Sequence, residues 1–488
     1  MARRITAVLF ALALLFALSG CHTEEGGGAF RFPLSGEPYS LDPQLSATDA
    51  ERTVAAQLFE GLAGRDGEGR LIPAAAEWTV SADGRTYDFT LRQNCWSDGS
   101  PVTAADFVFA LERTRDPATR SPYAGRLAGV TAEAVSDTRL TVTLPAPDET
   151  FLSSLAEGAW YPCPRAFFEQ CGGRWGMEAD SLLTNGPFTL SLWEHGTSLL
   201  LRKNADWHRA AEVAPASLRY VIGAEEGAAA LESGALDGCR LAAGESAPTV
   251  LTAEDTLTFL FFNTTLSPLD SAAFRRGLRA AVDWEAVGAA LPGPSAVSYV
   301  PPAAEGFSSS LTAPRCDGDA AKEMLAAALT EKGLTACPTL TLLCREGEAS
   351  LRLAQYIVQS WQKHLGVYFS VEQVSDAALA ARLSAGTYHL ASADATPGGP
   401  TPADALLLFD GEAGEGNVAR YANPAWAAAV RAAGTPEALA AEEKALFDAC
   451  PAVPLCAVTR RFGLAKGVSG VTVAPFTERW RVTEARRN

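Results

Sequence analysis

Apolar and polar positions alternate most cleanly just after Asp83-Gly84, where Tyr87, Phe89 and Leu91 fall on one face and Asp88, Thr90 and Arg92 on the other. A period of two predicts a half-buried strand, and the Asp-Gly pair supplies a tight turn into it. Asp98-Gly99 turns the chain again, and Thr103, followed three residues later by Asp106, caps a helix that carries Phe107, Ala110 and Leu111. The same reading gives strands at 30–34, 140–144 and 218–222, and a helix at 49–62 striped by Val54, Leu58 and Leu62. A hairpin follows Asn185-Gly186-Pro187, with arms 188–192 and 199–202. The continuous apolar run 257–262 is short enough for a strand buried on both faces.

In the second half strand and helix periods take turns. Residues 339–343 read as a strand; Ala354, Ile357, Val358, Trp361 and Leu365 stripe a helix that stops at Gly366; 367–371 alternate as a strand; 376–385 form a helix and 387–391 a strand. The order β-α-β-α-β predicts an α/β fold with a parallel sheet, right-handed crossovers and a ligand crevice at the carboxyl ends of the strands, where residues 392–404 fall. Asn423-Pro424 and Thr435-Pro436 open two further helices, 453–458 returns as a strand, and the tail to Asn488 reads as irregular.

Composition narrows this picture. At 488 residues, 48% of them hydrophobic and 20% charged, the chain is that of a folded protein with room for about three domains. A formal charge of −17 with no basic patch excludes a nucleic-acid role. At the N-terminus Arg3 and Arg4 precede an uncharged apolar run from Ile5 to Leu18, shorter than the ~20 residues a bilayer-spanning helix needs. This predicts an export signal over residues 1–20. Its end, Leu18-Ser19-Gly20-Cys21, resembles the bacterial lipobox, which implies cleavage before Cys21 and a lipid on that cysteine. Cleavage removes two arginines and no acid, so the mature charge becomes −19. Residues 21–28, with Gly26-Gly27-Gly28, read as a flexible tether between lipid and fold.

Nine cysteines remain, and an exported protein can oxidise them. Cys163/Cys171, Cys337/Cys344 and Cys450/Cys456 are conceivable bridges, with at least one thiol left over; the alternative is that most are small buried apolar residues. None has C-x-x-C spacing, which argues against structural zinc or a redox dithiol. Catalytic signals are missing as well. The five histidines accompany no Gly-x-Ser-x-Gly elbow, H-E-x-x-H or Walker loop, and Gly411-x-x-Gly414-x-Gly416 has the wrong spacing for a phosphate cradle. An enzyme would have to work through carboxylates, which are too numerous to select from, and no cofactor or metal is expected.

Several motifs occur in an order that resembles one family. They are GEPYSLDP at 36–43, LFEGL at 58–62, SADGRTYDFTLR at 81–92, CWSDGSPVTAADF at 95–107, DPATRSPYA at 116–124, TNGPF at 184–188 and FFNTTLSPLDSAAFRRGLRAAVD at 261–283. Together they resemble the solute-binding lipoproteins of peptide ABC transporters, extracellular solute-binding family 5. The resemblance implies a two-lobed, periplasmic-binding-protein-like (Venus-flytrap) α/β fold with a hinge and an inserted subdomain. It places lobe I at 29–57, 176–255 and 457–488, the inserted subdomain at 58–175, and lobe II at 256–456. It implies a monomer that closes on a peptide or related solute and hands it to permease subunits with their ATPases. In that family an acidic residue after the strand matching 387–391 pairs with the ligand ammonium, a pairing a buried cation needs. Here Gly398 occupies that position and Ala395 the place of a usual tryptophan, so Asp394 or Asp404 is left as substitute, with Tyr123 of the SPYA run as a cleft-lining candidate. A non-peptide ligand, a sensing role and a lipid-anchored hydrolase are the rival readings.

Overall fold

In the computed structural model residues 28–66, 69–148, 150–242, 244–291, 293–304, 306–411, 417–477 and 479–488 are described. The expected export signal, Cys21 and all but the last residue of the tether lie outside them, as do Gly414 and Gly416.

Among the described residues three large apolar cores form. The first is built on a four-stranded sheet in the order Phe30–Leu34, Ser217–Ile222, Ser198–Lys203, Phe188–Glu194. Only the first pairing is parallel. Alternation sets its faces: Phe30, Phe32 and Leu34 are buried while Arg31 is exposed. The same core continues into an antiparallel sheet of Ala76–Val80, Thr86–Leu91, Arg139–Thr143 and Thr131–Ser136. Tyr87, Phe89 and Leu91 point into it, as their spacing predicts. Helix Ala104–Arg115 begins where expected, the Thr103 amide donating to Asp106 Oδ2 at 2.8 Å. Trp96 Nε1 donates to the same oxygen at 3.4 Å, which fixes a fully buried ring beside the helix start.

The other two cores lie on opposite faces of a six-stranded sheet in the order Gly238–Arg240, Ala452–Leu464, Thr249–Phe262, Leu390–Ala395, Thr341–Arg345, Ser370–Val374. Leu260 and Phe262 enter one core with Phe274, Ile357 and Trp361. Phe259 and Phe261 enter the other with Tyr299, Leu343 and Phe409. A run with no polar position is what a strand covered on both faces requires. The expected β-α-β-α-β unit is present: Thr341–Arg345 pairs in parallel with both Ser370–Val374 and Leu390–Ala395, and helices Glu348–Leu365 and Asp376–Ala385 cross over between them. The first helix ends at Gly366 with φ 70°, a left-handed cap natural to glycine.

Several sequence expectations change. The helix placed at 49–62 ends at Leu58, and the strand placed at 387–391 runs Leu390–Ala395. The strand placed at 367–371 starts at Ser370, although Val367 and Phe369 are buried before it. The tail placed as irregular contains short paired strands, Val468–Ser469 with Arg486–Arg487 and Thr472–Val473 with Trp480–Arg481. All nine described cysteines are free thiols, so none of the three conceivable bridges forms. The strands placed at 257–262 and 453–458 extend to 14 and 13 residues, Thr249–Phe262 and Ala452–Leu464.

Candidate functional site

Those two long strands tie the first core to the others. They run antiparallel, with Leu251 opposite Phe462 at the first core and Leu257 opposite Ala457 at the third. Leu251 and Leu257 are six positions apart, about 20 Å of extended chain. Between them the register slips after Ala253, and Asp255 leaves the ladder. Its fully buried carboxylate meets Arg460 of the partner strand, whose Nε donates to Oδ1 at 2.8 Å and whose Nη2 donates to Oδ2. The tail closes the arrangement: the Phe476 amide donates to Asp255 Oδ2 at 2.6 Å, and Arg460 Nη2 donates to Thr477 O at 3.0 Å.

Free main-chain edges lie on either side of this junction. Phe30–Leu34 is an edge strand. Leu34 O accepts from Gly223, on the side of Ser217–Ile222, so by alternation Arg31, Pro33 and Ser35 turn their main-chain groups outward. Asp237 satisfies Arg31, accepting from its amide at 2.7 Å and donating to its carbonyl at 2.8 Å. Among the described residues the carbonyl of Pro33 and the main-chain groups of Ser35 have no partner, beside a pocket of about 220 Å³ that Asp49, Glu226, Phe462 and Trp480 help to line. Across the junction, Leu390–Ala395 pairs with Thr341–Arg345 only through Leu390 and Ala391, so its later residues have a free side. The following loop is pinned to the long strand by Thr396 Oγ1 and Thr256 Oγ1, 2.7 Å apart.

The residues singled out from sequence fall in three different settings. Tyr123 is buried in the first core, its hydroxyl donating to Ser46 O at 2.8 Å, and burial pushes the phenol up to about 12. Asp394 lies on the strand Leu390–Ala395, where it accepts from Thr258 Oγ1 at 2.6 Å and pairs with Arg345 Nη2 at 3.1 Å. Asp404 stands at the third position of helix Pro402–Leu406 and closes its capping box. Its Oδ2 accepts from the Thr401 amide at 3.0 Å and the Thr401 hydroxyl at 2.6 Å. Burial raises the Asp404 carboxyl above the ordinary range, against the lowering pull of Thr401 and of Arg65. Tyr123 and Asp404 both lie within electrostatic reach of Arg126 and Glu157, whereas Asp394 has its own cation.

The groups within electrostatic reach of Asp404 were not legible in the sequence. Arg65, at the end of strand Ala63–Arg65, donates from Nη1 to Gly69 O at 3.1 Å and from Nη2 to Ser153 O at 2.9 Å. Arg481 of the tail donates to Arg65 O. Burial lowers the Arg65 guanidinium, Asp404 and Glu157 support it, and Arg479 opposes it. Arg126 grips Glu157 at 2.9 and 3.2 Å. These side chains come from separate segments and share no spacing signal.

Residues 71–417 match the family described as bacterial extracellular solute-binding proteins, family 5 Middle. The oligopeptide-binding protein OppA of Bacillus subtilis is 29% identical over 391 residues, covering 71% of each chain. Among solved structures, Haemophilus influenzae OppA in complex with RPPGFSPFR superposes with a TM-score of 0.75 at 23% identity, over 94% of this chain and 99% of that one. The Escherichia coli murein tripeptide binding protein MppA gives 0.75 at 24%, over 94% and 98%. The two-lobed fold is shared across the described chain.

Proposed function

The chain belongs to the bacterial extracellular solute-binding proteins of family 5, and from that premise we propose that it is the capture component of a peptide-type ABC importer. It closes two lobes on a peptide, alters no bond, and releases the guest to permease subunits driven by ATPases. The observation that carries this reading is the pair of main-chain edges without partners among the described residues, at Pro33–Ser35 and after Ala391, on either side of the two long strands that span the junction. Main-chain groups read a peptide backbone without regard to its side chains. Bending at the register slip opens and shuts the gap.

On this reading lobe I comprises 29–57, 176–255 and 457–488, with 58–175 inserted and lobe II at 256–456; supporting it, both long strands cross these boundaries beside Asp255 and Arg460. The proposed ligand contacts are the free edges and Asp404, with Tyr123 behind them as support. Cys21, outside the described residues, is the proposed lipid attachment on the outer side of the cytoplasmic membrane. Among the described residues no helix is long and apolar enough to cross a membrane. A second reading, a non-peptide solute, is favoured by one observation: the Asp394 carboxylate is already engaged by Arg345 and Thr258, leaving it poorly placed to receive an ammonium group. Native mass spectrometry of the purified protein tests both. A ladder of short peptides released on denaturation supports peptide capture; one recurrent non-peptide mass supports the alternative; turnover of a peptide bond overturns both.

A further inference from the structure

We propose that His195 is a proton-operated clasp on the loop that continues the Pro33–Ser35 edge, so that guests are held more firmly in mildly acidic surroundings. The inference rests on the peptide-capture reading and adds a regulation to it. His195 stands at the tip of the hairpin formed by Phe188–Glu194 and Ser198–Lys203, where the Thr197 amide donates to Glu194 O at 2.9 Å. Its two ring nitrogens meet carboxylates from two other segments: Nδ1 is 2.7 Å from Glu37 Oε1, and Nε2 is 3.5 Å from Glu178 Oε1. Glu37 lies two positions beyond Ser35, where the free edge ends. Its carboxylate also accepts from Trp193 Nε1 at 2.9 Å and from the Gly196 amide at 2.8 Å, and the imidazole lies against the Trp193 ring with centroids 4.4 Å apart. Glu178 follows shortly after Gly176, whose carbonyl accepts from the Leu41 amide at 2.8 Å and so holds the far end of the same loop.

The chemistry of the ring makes this arrangement proton-dependent. A neutral imidazole has one N–H and one lone pair, so it donates to only one of the two carboxylates and turns its lone pair to the other. The imidazolium donates to both, and both contacts become charge-assisted. Glu37 first, and then Glu178, accordingly raise the His195 pKa above its ordinary value. Among the described residues no other charged group lies within ion-pair distance of the ring, and the chain neighbours Glu194 and Asp180 are engaged by Arg219 at 3.4 Å and Arg174 at 2.9 Å. With the folded value raised, the clasp is complete below the unfolded value of 6.5 and is lost as pH rises through the folded one. A guest strand laid on Pro33–Ser35 fixes the loop in its clasped position, so the proton favours the guest by the same factor as the guest favours the proton. The ring is half exposed, which sets that factor at about two- to fivefold, the scale of a surface ion pair.

Tri-, tetra- and penta-alanine serve as probes, titrated by calorimetry at low salt into the full mature chain and its His195→Gln variant at about pH 5.5 and about pH 7.5, on either side of an ordinary imidazole. In the parent, NMR follows the His195 ring with and without peptide. The expected result is that the parent binds about two- to fivefold more tightly at the lower pH and that bound peptide moves the His195 titration upward. His195→Gln keeps an amide donor near Glu37 but cannot take up a proton, so its affinity should change less between the two pH values. The difference between parent and variant removes what the peptide termini and the other histidines contribute. An equal pH dependence in the two proteins, or a His195 titration that peptide leaves in place, overturns the clasp while peptide capture stands. Failure of every oligo-alanine to bind at both pH values overturns the peptide reading, and the inference with it.

Discussion

Replacing Arg460 by methionine removes the cation from a junction where Asp255 is fully enclosed. The carboxylate loses two guanidinium donors and keeps, among the described residues, the Phe476 amide and the Thr256 hydroxyl, at 2.6 and 3.1 Å, while Thr477 O loses its donor. Breaking a buried pair from one side costs about 3–5 kcal/mol, because the surviving charge stays desolvated. Removing both charges relieves that cost, so Asp255→Leu with Arg460→Met should lie within about 1 kcal/mol of the parent. Urea unfolding of the parent, both single variants and the double variant forms a cycle whose coupling energy is expected to exceed ~2 kcal/mol. A loss below about 1 kcal/mol in Arg460→Met, or a double variant as unstable as the two singles added together, would refute the argument that the pair is held dry at the junction.

Other expectations follow from single contacts. Gly158→Ala places a new carbon 2.4 Å from Pro43 O and should cost about 1–3 kcal/mol, read as a lowered thermal midpoint; an unchanged midpoint would contradict the close approach. Tyr123→Phe should lose about 1 kcal/mol, from the bond to Ser46 O, with ligand affinity changed less than about twofold; a tenfold weaker affinity would place the hydroxyl on the ligand. Burial raises both the Tyr123 phenol and the Cys163 thiol to about 12, so the fold favours their neutral forms. Their contribution is complete below the unfolded values, near 9 to 10, and is lost as pH rises toward 12. An ultraviolet titration should show late tyrosine ionisation coincident with unfolding, and early ionisation of every tyrosine would contradict it. Under an excess of a thiol reagent at pH 8, exposed Cys316 should react first, and buried Cys163, Cys239, Cys344, Cys450 and Cys456 only after denaturation.

Periodicity located most elements whose one face is dry. Tyr87, Phe89 and Leu91 announced their strand because period two matches the pleat, and Thr103 with Asp106 marked a helix start because two backbone donors need acceptors there. The helix 376–385 was read to the residue, while its neighbouring strands slipped by about three positions, since a buried residue such as Phe369 does not report which neighbours pair. The long strands were half read. Thr252, Glu254, Asp255, Arg460 and Arg461 look like loop residues, and only tertiary pairing across some 200 positions makes them extended. Arg275, inside the run 261–283, donates to Leu269 O, Ala449 O and Cys450 O and so satisfies the end of helix Pro436–Ala449, a role its position in the motif did not reveal. The contacts of Arg65 left no trace because Ser153 and Arg481 are brought to it from distant segments.

The late position of Ala452–Leu464 bears on how the molecule acquires its shape. Phe462, Leu464 and Trp480 complete the first core, and Val453 and Leu455 complete the second. Neither half can therefore be finished while the last few dozen residues are still threading through a translocation channel. Loop closure over some 200 residues must precede the pairing of Thr249–Phe262 with its partner, which slows maturation and leaves bare strand edges for holding chaperones to shield. A truncation before Ala452 should yield not a smaller receptor but a sticky, unfinished chain.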